Sequence, residues 1–396
     1  MSNEGNKIIE LDKENILNTY KRFPLAIKEG KGSKFYDYDG KEYIDFTTGI
    51  GANTFGACDD LWVEAVCNQA KTVQHTSNLY YTKPQAELAK MLVDRTNMKK
   101  VFFANSGAEA NECAIKAARK YSYDKYGEGR NEVITLVNSF HGRTVLTLSA
   151  TGQDVFHQWF YPFVDGFKHV VASDINALKE AISEKTCAIM IETVQGEGGV
   201  VPLDSEYIKY IDKVCKEKDI VFIVDEVQTG NGRCGYLYSY MEYGVTPNIV
   251  STAKGLAGGL PFAAILFDSK TANTLGFGQH GTTFGGNPVC AAAALSTLTR
   301  IDDNLLAHVH EARRFIEEKL KNVSEVVSIS GKGLMVGVEL IKGLVAADIA
   351  KACIENGLIV LTAKAKIRFL PPLNISFEDL DKGLDIFIKV LKEANK

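Results

Sequence analysis

The sequence predicts an α/β fold in two parts: a large domain built on an open, mostly parallel sheet, and a smaller α+β domain. Between residues 101 and about 287, short apolar runs such as "CAIMIET" and "IVFIVDE" alternate with amphipathic stretches such as "SEYIKYIDKVCKEKD". Several runs are apolar on both faces, which is typical of strands that helices cover on both sides. After residue 288 two helical patterns are followed by short strands and further helices, and this change predicts the second domain.

The elements of the large domain follow in order from "KVFFAN", the first strand candidate. The next stretch, "GAEANECAIKAARKYSYDKYG", has the spacing of a helix. Its small or apolar face comprises Ala110, Cys113, Ala114, Ala117, Ala118 and Tyr121. The later strand candidates are "NEVITLVN", "KHVVA", "CAIMIET", "IVFIVDE", "NIVSTA" and "PFAAILF".

The smaller domain begins with "PVCAAAALSTLTRIDD" and "LLAHVHEARRFIEEKLKNV", which predict two helices. Strands "VVSISGKG" and "LMVGVEL", a helix near 346–356, a strand "LIVLT" and a closing helix from Phe377 follow. Near the start of the chain, "KFYDYDGKEYIDF" predicts a hairpin that turns at Asp39 and Gly40. We expect 1–60 to pack with the small domain, 61–287 to be the large cofactor-binding domain, and 288–396 to be the small domain.

The composition excludes several classes of function. The chain of 396 residues is 45% hydrophobic and 24% charged, with a net charge of −4, so it lacks the basic excess of a nucleic-acid-binding protein. It has no apolar run of the about eighteen residues that a membrane span needs. Its N-terminus lacks the features of a targeting peptide, and we expect a cytoplasmic protein. Eight scattered cysteines without a CxxC pair indicate reduced thiols, and no Cys/His cluster indicates a metal site.

Ligands of open α/β sheets bind beyond the carboxyl ends of the strands, so the residues that follow each strand are the candidates for chemistry. "NSGAEANE" follows the first strand, and Ser106 and Glu109 there have the spacing of a capping box. For an isolated SxxE this structural role is the commoner one. The N–H groups of Gly107 and Ala108 at the same helix N-terminus also suit a phosphate. "SFHGRT" offers Phe140 as an aromatic face and Arg143 as a carboxylate ligand, although a solvated loop arginine is more usual.

The remaining strand ends provide acids and a lysine. "TVQGEGGV" follows "CAIMIE" and carries Glu197, while "VFIVDEVQTG" ends a buried strand on Asp225 and Glu226. Strand alternation predicts that Glu226 points away from Asp225 and finds a structural partner. Lys254 follows "NIVSTA" among small residues; most lysines are solvated, but one at a buried strand end has a lowered pKa and attacks carbonyls.

Together these strand ends match the needs of pyridoxal phosphate. This cofactor requires a phosphate cradle, a lysine that joins its aldehyde, and a carboxylate that keeps its pyridine nitrogen protonated. A nicotinamide dehydrogenase on a similar sheet is an alternative of another class, but the chain has no GxGxxG after its first strand.

Longer motifs carry a family resemblance over nearly the whole chain. They include "YIDFTTGIG", "QHTSNLYYTKPQAELA", "FFANSGAEANECAIKAARKY", "SFHGRT", "IETVQGEGGV", "VDEVQTGNGRCG", "TAKGLAGGLP", "HGTTFGGNPV" and "IRFLPPLNIS". The sequence resembles the class III (subgroup II) aminotransferases of the fold-type I pyridoxal phosphate enzymes. The resemblance implies a seven-stranded, mostly parallel sheet and a homodimer with shared active sites.

The resemblance also implies roles for individual residues. Lys254 joins the cofactor and moves the proton, and Asp225 pairs with the pyridinium nitrogen. The other cofactor contacts are Ser106, Gly107 and Ala108 at the phosphate, Phe140 and Val227 at the ring faces, Gln228 at the ring hydroxyl, and Thr283 from the neighbouring subunit. The substrate contacts are Arg143 and Thr282 for the acylated ornithine and Arg368 for the α-carboxylate of glutamate, with Glu197 as the acid that covers Arg368.

The implied reaction moves the δ-amino group of N2-acetyl-L-ornithine to 2-oxoglutarate. Alternative substrates within the family are 4-aminobutyrate, ornithine, succinylornithine and succinyldiaminopimelate; the apolar Ile50 disfavours free ornithine. Two segments depart from the family pattern: Ala57 to Asp60 replaces a His-x-His-Pro segment, and "LTAKAKIRF" is short. We expect the first change to have a structural consequence and the second to bear on the position of Arg368.

Overall fold

The computed structural model describes residues 3–396 and consists of helices packed on a seven-stranded sheet, two four-stranded sheets and one two-stranded sheet. The helices are α1 Asn3–Asn15, α2 Thr48–Gly51, α3 Asp60–Thr72, α4 Lys83–Thr96, α5 Gly107–Tyr126, α6 Val145–Ala150, α7 Ile175–Ala181, α8 Ser205–Lys218, α9 Pro288–Thr299, α10 Asp303–Leu320, α11 Ala346–Glu355 and α12 Phe377–Ala394. Three 3-10 turns are Asp154–Phe156, Ser239–Tyr243 and Lys254–Ala257. None of the helices in the described range is long and apolar enough to cross a membrane.

The strands occur in two groups, one in the middle of the chain and one at its two ends. They are β1 Ile27–Lys31, β2 Lys34–Asp37, β3 Glu42–Asp45, β4 Lys100–Ala104, β5 Glu132–Leu136, β6 Phe167–Val170, β7 Thr186–Ile191, β8 Val194–Gln195, β9 Val201–Pro202, β10 Val221–Asp225, β11 Ile249–Thr252, β12 Ala263–Phe267, β13 Val326–Lys332, β14 Met335–Leu340, β15 Leu358–Ile359, β16 Leu361–Ala363 and β17 Lys366–Phe369.

The central sheet has seven strands in the order β4-β12-β11-β10-β7-β5-β6. The strands from β11 to β6 run parallel, and β12 is antiparallel to both of its neighbours. This confirms the predicted seven-stranded, mostly parallel sheet. The connection from β11 to β12, residues 253–262, is shorter than the dozen or more residues that a parallel crossover needs, and it therefore reverses the chain direction.

Helices cover both faces of the central sheet, which explains why strands β7, β10 and β12 are buried along their whole length. Helix α5 packs on one face through the predicted stripe, whose members Ala110, Cys113, Ala114, Ala117 and Ala118 have no exposed surface. Small side chains on this stripe let the helix approach the sheet closely. Its N-terminus therefore lies at the carboxyl edge of the strands, where the candidate residues are.

The second part of the molecule contains the four-stranded sheet β13-β14-β17-β16 with helices α10, α11 and α12. The predicted N-terminal hairpin, β2 and β3, belongs with it, because β3 pairs in parallel with β15 through Ile44 and Leu358. Helix α9 packs instead in the large core, through Ala294 and Leu298. The division into 1–60, 61–287 and 288–396 stays a proposal, and the packing of α9 leads us to propose that the last boundary follows this helix.

Candidate active site

The predicted strand-end residues meet around one cavity of about 420 Å³ at the carboxyl edge of the central sheet. Its lining includes the predicted residues Ser106, Gly107, Ala108, Phe140, Arg143, Asp225, Val227, Gln228 and Lys254. Residues from segments more than 100 positions apart meet here because β4, β5, β10 and β11 belong to the same sheet. The predicted cofactor roles of these side chains stay proposals.

The N-terminus of α5 forms one wall of the cavity. Ser106 caps the helix, with its Oγ accepting a hydrogen bond from the Glu109 N–H at 3.2 Å. The other half of the predicted capping box differs, because the Glu109 carboxylate accepts from the backbone N–H of Asn105 at 2.7 Å and not from that of Ser106. The first N–H groups of a helix have no partner within the helix and carry the positive end of its dipole. Those of Gly107 and Ala108 can therefore bind the phosphate of the cofactor.

Gly107 allows a close approach between this helix end and the strand end that carries Val227. A Cβ atom at position 107 would lie 2.7 Å from Cγ1 of Val227, closer than side-chain contacts allow. A side chain at residue 107 would therefore displace Val227, which lines the same cavity. The absence of a side chain beside the free N–H groups fits a phosphate-bearing cofactor.

Replacement of Gly107 by alanine should weaken the binding of pyridoxal phosphate. Overpacking costs about 1–3 kcal/mol, so the dissociation constant should rise roughly 5- to 150-fold, as measured by titration of the apoenzyme. Gly276→Ala is the matched control, because the nearest atom to its Cβ would be 3.6 Å away. Equal cofactor affinity for Gly107→Ala and the wild type would contradict the assignment of the cradle.

Asp225 is buried at the end of β10 and receives three hydrogen bonds or polar contacts. Its Oδ2 accepts from Asn111 Nδ2 at 2.7 Å and lies 2.8 Å from His141 Nδ1, and its Oδ1 accepts from the Val227 N–H at 3.0 Å. Ser251 orients Asn111 by donating to its Oδ1 at 2.6 Å. Burial alone lowers the pKa of His141, but the adjacent Asp225 carboxylate outweighs it and the net pKa is raised. The carboxylate is thus held rigidly, as a partner of a ring nitrogen requires.

Asn111 is the main contact of the site that sequence reasoning missed. Asn111 is buried on α5 beside a stripe of small apolar residues. The sequence feature that could have indicated this contact was a single amide side chain beside the small apolar face of the predicted helix. A buried polar side chain of this kind needs a specific partner.

Glu226 lies on the other side of the strand end, as alternation predicts. Its carboxylate accepts hydrogen bonds from Thr229 Oγ1 at 2.6 Å, Ser239 Oγ at 2.7 Å and the Tyr240 N–H at 2.8 Å. These contacts confirm a structural partner for Glu226 and leave Asp225 as the acid of this adjacent pair that lines the cavity.

Lys254 follows β11 and lines the cavity with its side chain partly buried. Burial lowers the pKa of its amine, and the nearby Glu197 carboxylate opposes that shift without cancelling it. A lowered pKa increases the neutral fraction of the amine, which is the form that attacks an aldehyde. The backbone at Lys254 has φ of 44°, a left-handed conformation that is strained for a lysine and is typical of functional sites.

Arg368 and Glu197 meet on the side of the cavity next to Gln228. Arg368 Nη1 lies 2.6 Å from Glu197 Oε1 and donates to Gln228 Oε1 at 3.1 Å, while Arg368 Nε is buried without a hydrogen-bond partner. Burial raises the pKa of Glu197, but Arg368 outweighs it and the net pKa is lowered. The short segment before Arg368 turns at Lys364, which has φ of 52°, and still delivers the guanidinium to Glu197.

The remaining predicted contacts lie at the mouth of the cavity or outside it. Arg143 is exposed at the mouth. Thr282 Oγ1 accepts a hydrogen bond from Asn105 Nδ2 at 3.0 Å and so lies beside the phosphate cradle. Thr283 does not line the cavity of its own chain; it is exposed in a surface hollow with Leu79. That position agrees with a residue that serves a neighbouring subunit, and the role stays a prediction.

Glu192 is a second buried acid to which the sequence assigned no role. Its Oε2 accepts from the Phe140 N–H at 3.0 Å, which ties the end of β7 to the loop that carries Phe140. Burial, with the nearby Asp225 charge adding to it, raises the pKa of Glu192 to about 7. The sequence feature that could have indicated Glu192 was the pair of acids in "ETVQGEGG". The spacing of apolar residues alone assigns no role to either acid.

Asp59, in the segment 57–60 that departs from the family pattern, has structural contacts, and the structural consequence of this departure stays a prediction. Asp59 caps α3 by accepting from the Trp62 N–H at 3.0 Å and pairs with Arg300 at 2.8 Å.

In residues 3–396 no group of three or more His, Cys, Asp or Glu side chains is arranged to hold a metal ion.

Comparisons with known proteins agree with this arrangement. The family model "Aminotransferase class-III" matches residues 16–391. The chain is 50% identical to the acetylornithine aminotransferase of Haemophilus ducreyi, over 98% of this chain and 99% of that protein. It is 45% identical to the acetylornithine aminotransferase of Methanocaldococcus jannaschii, over 98% of both chains.

A solved structure shows the same fold over nearly the whole chain. The ornithine aminotransferase from Toxoplasma gondii superposes with a TM-score of 0.94 and 29% identity, covering 99% of this chain and 96% of that one. On the matched family model and these identities, the chain belongs to the class III aminotransferases, enzymes that depend on pyridoxal phosphate.

Proposed function

We propose that this enzyme transfers the δ-amino group of N2-acetyl-L-ornithine to 2-oxoglutarate, giving N-acetyl-L-glutamate 5-semialdehyde and L-glutamate, a reaction of arginine biosynthesis. The observation that carries the proposal is the pair of arginines at one cavity. Arg143 is exposed and has no carboxylate partner among residues 3–396, while Arg368 is buried and covered by Glu197. The names of the acetylornithine aminotransferases to which the chain is 45–50% identical support the same substrate.

The cofactor, when bound, supplies an aldehyde that accepts the amino group and a ring that stores an electron pair. Ser106, Gly107 and Ala108 would hold its phosphate, and Phe140 and Val227 would pack against the ring faces. Gln228 would contact the ring hydroxyl, and Asp225 would keep the proton on the ring nitrogen. The Lys254 amine would hold the cofactor covalently, and once released it would move the proton between the substrate carbon and the cofactor.

The two arginines give the site its dual specificity. Arg143, with Thr282 beside it, would bind the carboxylate of the acylated ornithine and leave the δ-amino end free to reach the cofactor. Glu197 would then neutralise Arg368, so that this side of the cavity offers no net charge to the amino donor. When glutamate or 2-oxoglutarate enters, Glu197 would move aside and Arg368 would bind the α-carboxylate.

Glu197→Ala should shift the enzyme toward the dicarboxylate substrates. Without the carboxylate at 2.6 Å, Arg368 is permanently uncovered and available to the α-carboxylate of glutamate. We expect the ratio of kcat/KM for glutamate to that for N-acetylornithine to rise roughly tenfold, since losing one charged contact costs about 1.4 kcal/mol or more. An unchanged ratio in the two half-reactions would refute the switch.

The substrate assignment is tested by ranking amino donors in single half-reactions, followed by the change in cofactor absorbance. N-acetylornithine should react with the highest kcat/KM, ahead of ornithine and 4-aminobutyrate. Ile50 lies two residues before Ala52 of the cavity lining and has no hydroxyl for a free α-ammonium group, which disfavours ornithine. Succinylornithine and succinyldiaminopimelate belong in the same series, and a higher value for either would replace the acetyl assignment.

We propose a homodimer that completes each active site with Thr283 of the second subunit. Large apolar side chains beside Thr283 are exposed to solvent. An exposed apolar cluster of this kind is typical of a protein–protein interface. Leu79 is 85%, Tyr80 68%, Tyr81 103% and Phe284 58% exposed. Sedimentation of the holoenzyme as a monomer would refute this proposal.

The eight cysteines form no disulfide, which fits the proposed cytoplasmic location.

A further inference from the structure

Arg143 is held at the cavity mouth by aromatic rings and not by any acid. Its guanidinium carbon lies 4.2 Å from the ring centre of Phe156 and 5.5 Å from that of Phe140. No hydrogen bond or ion pair of the Arg143 side chain is present within residues 3–396. A guanidinium on an aromatic face keeps its N–H edges free, so all of its donors are available to a carboxylate.

The two rings also contact each other. Phe156 and Phe140 pack edge to face, with their centres 5.9 Å apart and their planes at 79°. Phe140 also lines the cofactor cavity. The three side chains therefore form one unit that connects the cofactor side of the cavity to the cation at its mouth.

The 3-10 turn Asp154–Phe156 is itself anchored to the loop that carries Phe140. Gln153 is buried and donates from Nε2 to the Ser139 carbonyl at 3.0 Å, while its own carbonyl accepts from the Phe156 N–H at 3.0 Å. His157 Nε2 lies 2.9 Å from the Leu148 carbonyl oxygen. The ring of Phe156 is thereby fixed relative to Phe140, and it can restrict the otherwise mobile arginine side chain.

We propose that Phe156 is a positioning residue that determines specificity for amino donors with a distal carboxylate. It acts by holding the Arg143 guanidinium over its ring. The Arg143 side chain is then already ordered before the substrate arrives, so that binding of the donor carboxylate costs less side-chain entropy. This inference rests on the proposed function, in which Arg143 binds the amino donor. 2-Oxoglutarate has two carboxylates, so the same guanidinium is available to its distal carboxylate while Arg368 binds the α-carboxylate.

The test compares Phe156→Leu with the wild-type holoenzyme in the two half-reactions. A cation–π contact at a partly exposed site accounts for a factor of roughly 3 to 10 in affinity, so KM for N-acetylornithine should rise by that factor with kcat nearly unchanged. KM for 2-oxoglutarate should rise in the same direction, because its distal carboxylate meets the same guanidinium, and the cofactor absorbance should stay the same. Phe156→Tyr keeps the aromatic face and should restore the wild-type KM.

Two controls separate positioning of Arg143 from a general loosening of the loop. Phe160→Leu removes an exposed ring from the same loop. The ring of Phe160 contacts Trp159 and does not contact Arg143, so this variant should leave KM unchanged. In an Arg143→Ala background, Phe156→Leu should have no further effect, because the contact it removes is already absent.

The inference is overturned if Phe156→Leu lowers kcat and leaves KM unchanged, if Phe160→Leu has the same effect, or if the effect persists without Arg143. The proposed function is judged separately, by the wild type alone. If the wild type prefers another carboxylated amine, the same variants are measured with that donor, and the same three outcomes decide.

Discussion

Lys254→Ala is expected to lower the rate of both half-reactions by at least about 10⁴-fold, the upper end of the range for a positioned acid–base group. Its amine is the basic group of the cavity with a lowered pKa, and burial is the cause of that shift. The variant loses the covalent attachment and the proton carrier at once, so both half-reactions are slowed. Stopped-flow measurement of the cofactor absorbance with N-acetylornithine provides the rate.

The control for Lys254→Ala is Lys209→Ala, which removes an exposed lysine on α8 that pairs with Glu206 and does not line the cavity. It should keep the wild-type rate within about twofold, as surface substitutions usually do. Borohydride treatment followed by peptide mass analysis should attach the cofactor to Lys254 in the wild type and in Lys209→Ala only. Activity within tenfold of the wild type for Lys254→Ala would refute the assignment.

Asp225→Asn should lower kcat by about 10²- to 10⁴-fold, the range expected for a group that controls protonation at the reacting centre. The carboxylate is surrounded by donors: Asn111 Nδ2 and the Val227 N–H both point at its oxygens. An amide in its place would turn an N–H toward at least one of these donors, which costs about 1–3 kcal/mol of stability as well. Thermal unfolding of the apoenzyme measures the second effect.

The adjacent acid provides the matched comparison. Glu226→Gln also replaces a buried carboxylate that accepts several hydrogen bonds, from Thr229, Ser239 and the Tyr240 N–H. It should be destabilised by a similar about 1–3 kcal/mol, while the folded fraction keeps kcat within about threefold. If Glu226→Gln loses as much kcat as Asp225→Asn, the separation of the two acids into a site residue and a structural residue is wrong.

Local patterns in the sequence were sufficient to predict the seven central strands, several helices and nine of the twenty residues that line the cavity. The two helices after Pro288 were predicted from apolar spacing and occur as α9 and α10. The stripe on α5 was predicted in the same way and is buried as expected. These predictions succeed because the period of a helix or strand depends on neighbouring residues. The candidate residues could be located because ligands bind at the carboxyl ends of parallel strands.

Contacts between distant segments were decided only by the tertiary structure. Glu197 and Arg368 are 171 positions apart in the chain, and Asn111 and Asp225 are 114 apart. No local period relates such pairs, because they meet only when the order of strands in the sheet and the packing of the second part are set.

The sequence by itself determined that this chain is an α/β protein with a lysine, an acid, an arginine and a helix N-terminus at neighbouring strand ends. Only the tertiary structure decided that Asn111 and His141 hold Asp225, and that two rings hold Arg143. The reason is physical: element type follows from nearby residues, whereas the partner of a buried polar group depends on which elements long-range packing brings within hydrogen-bonding distance.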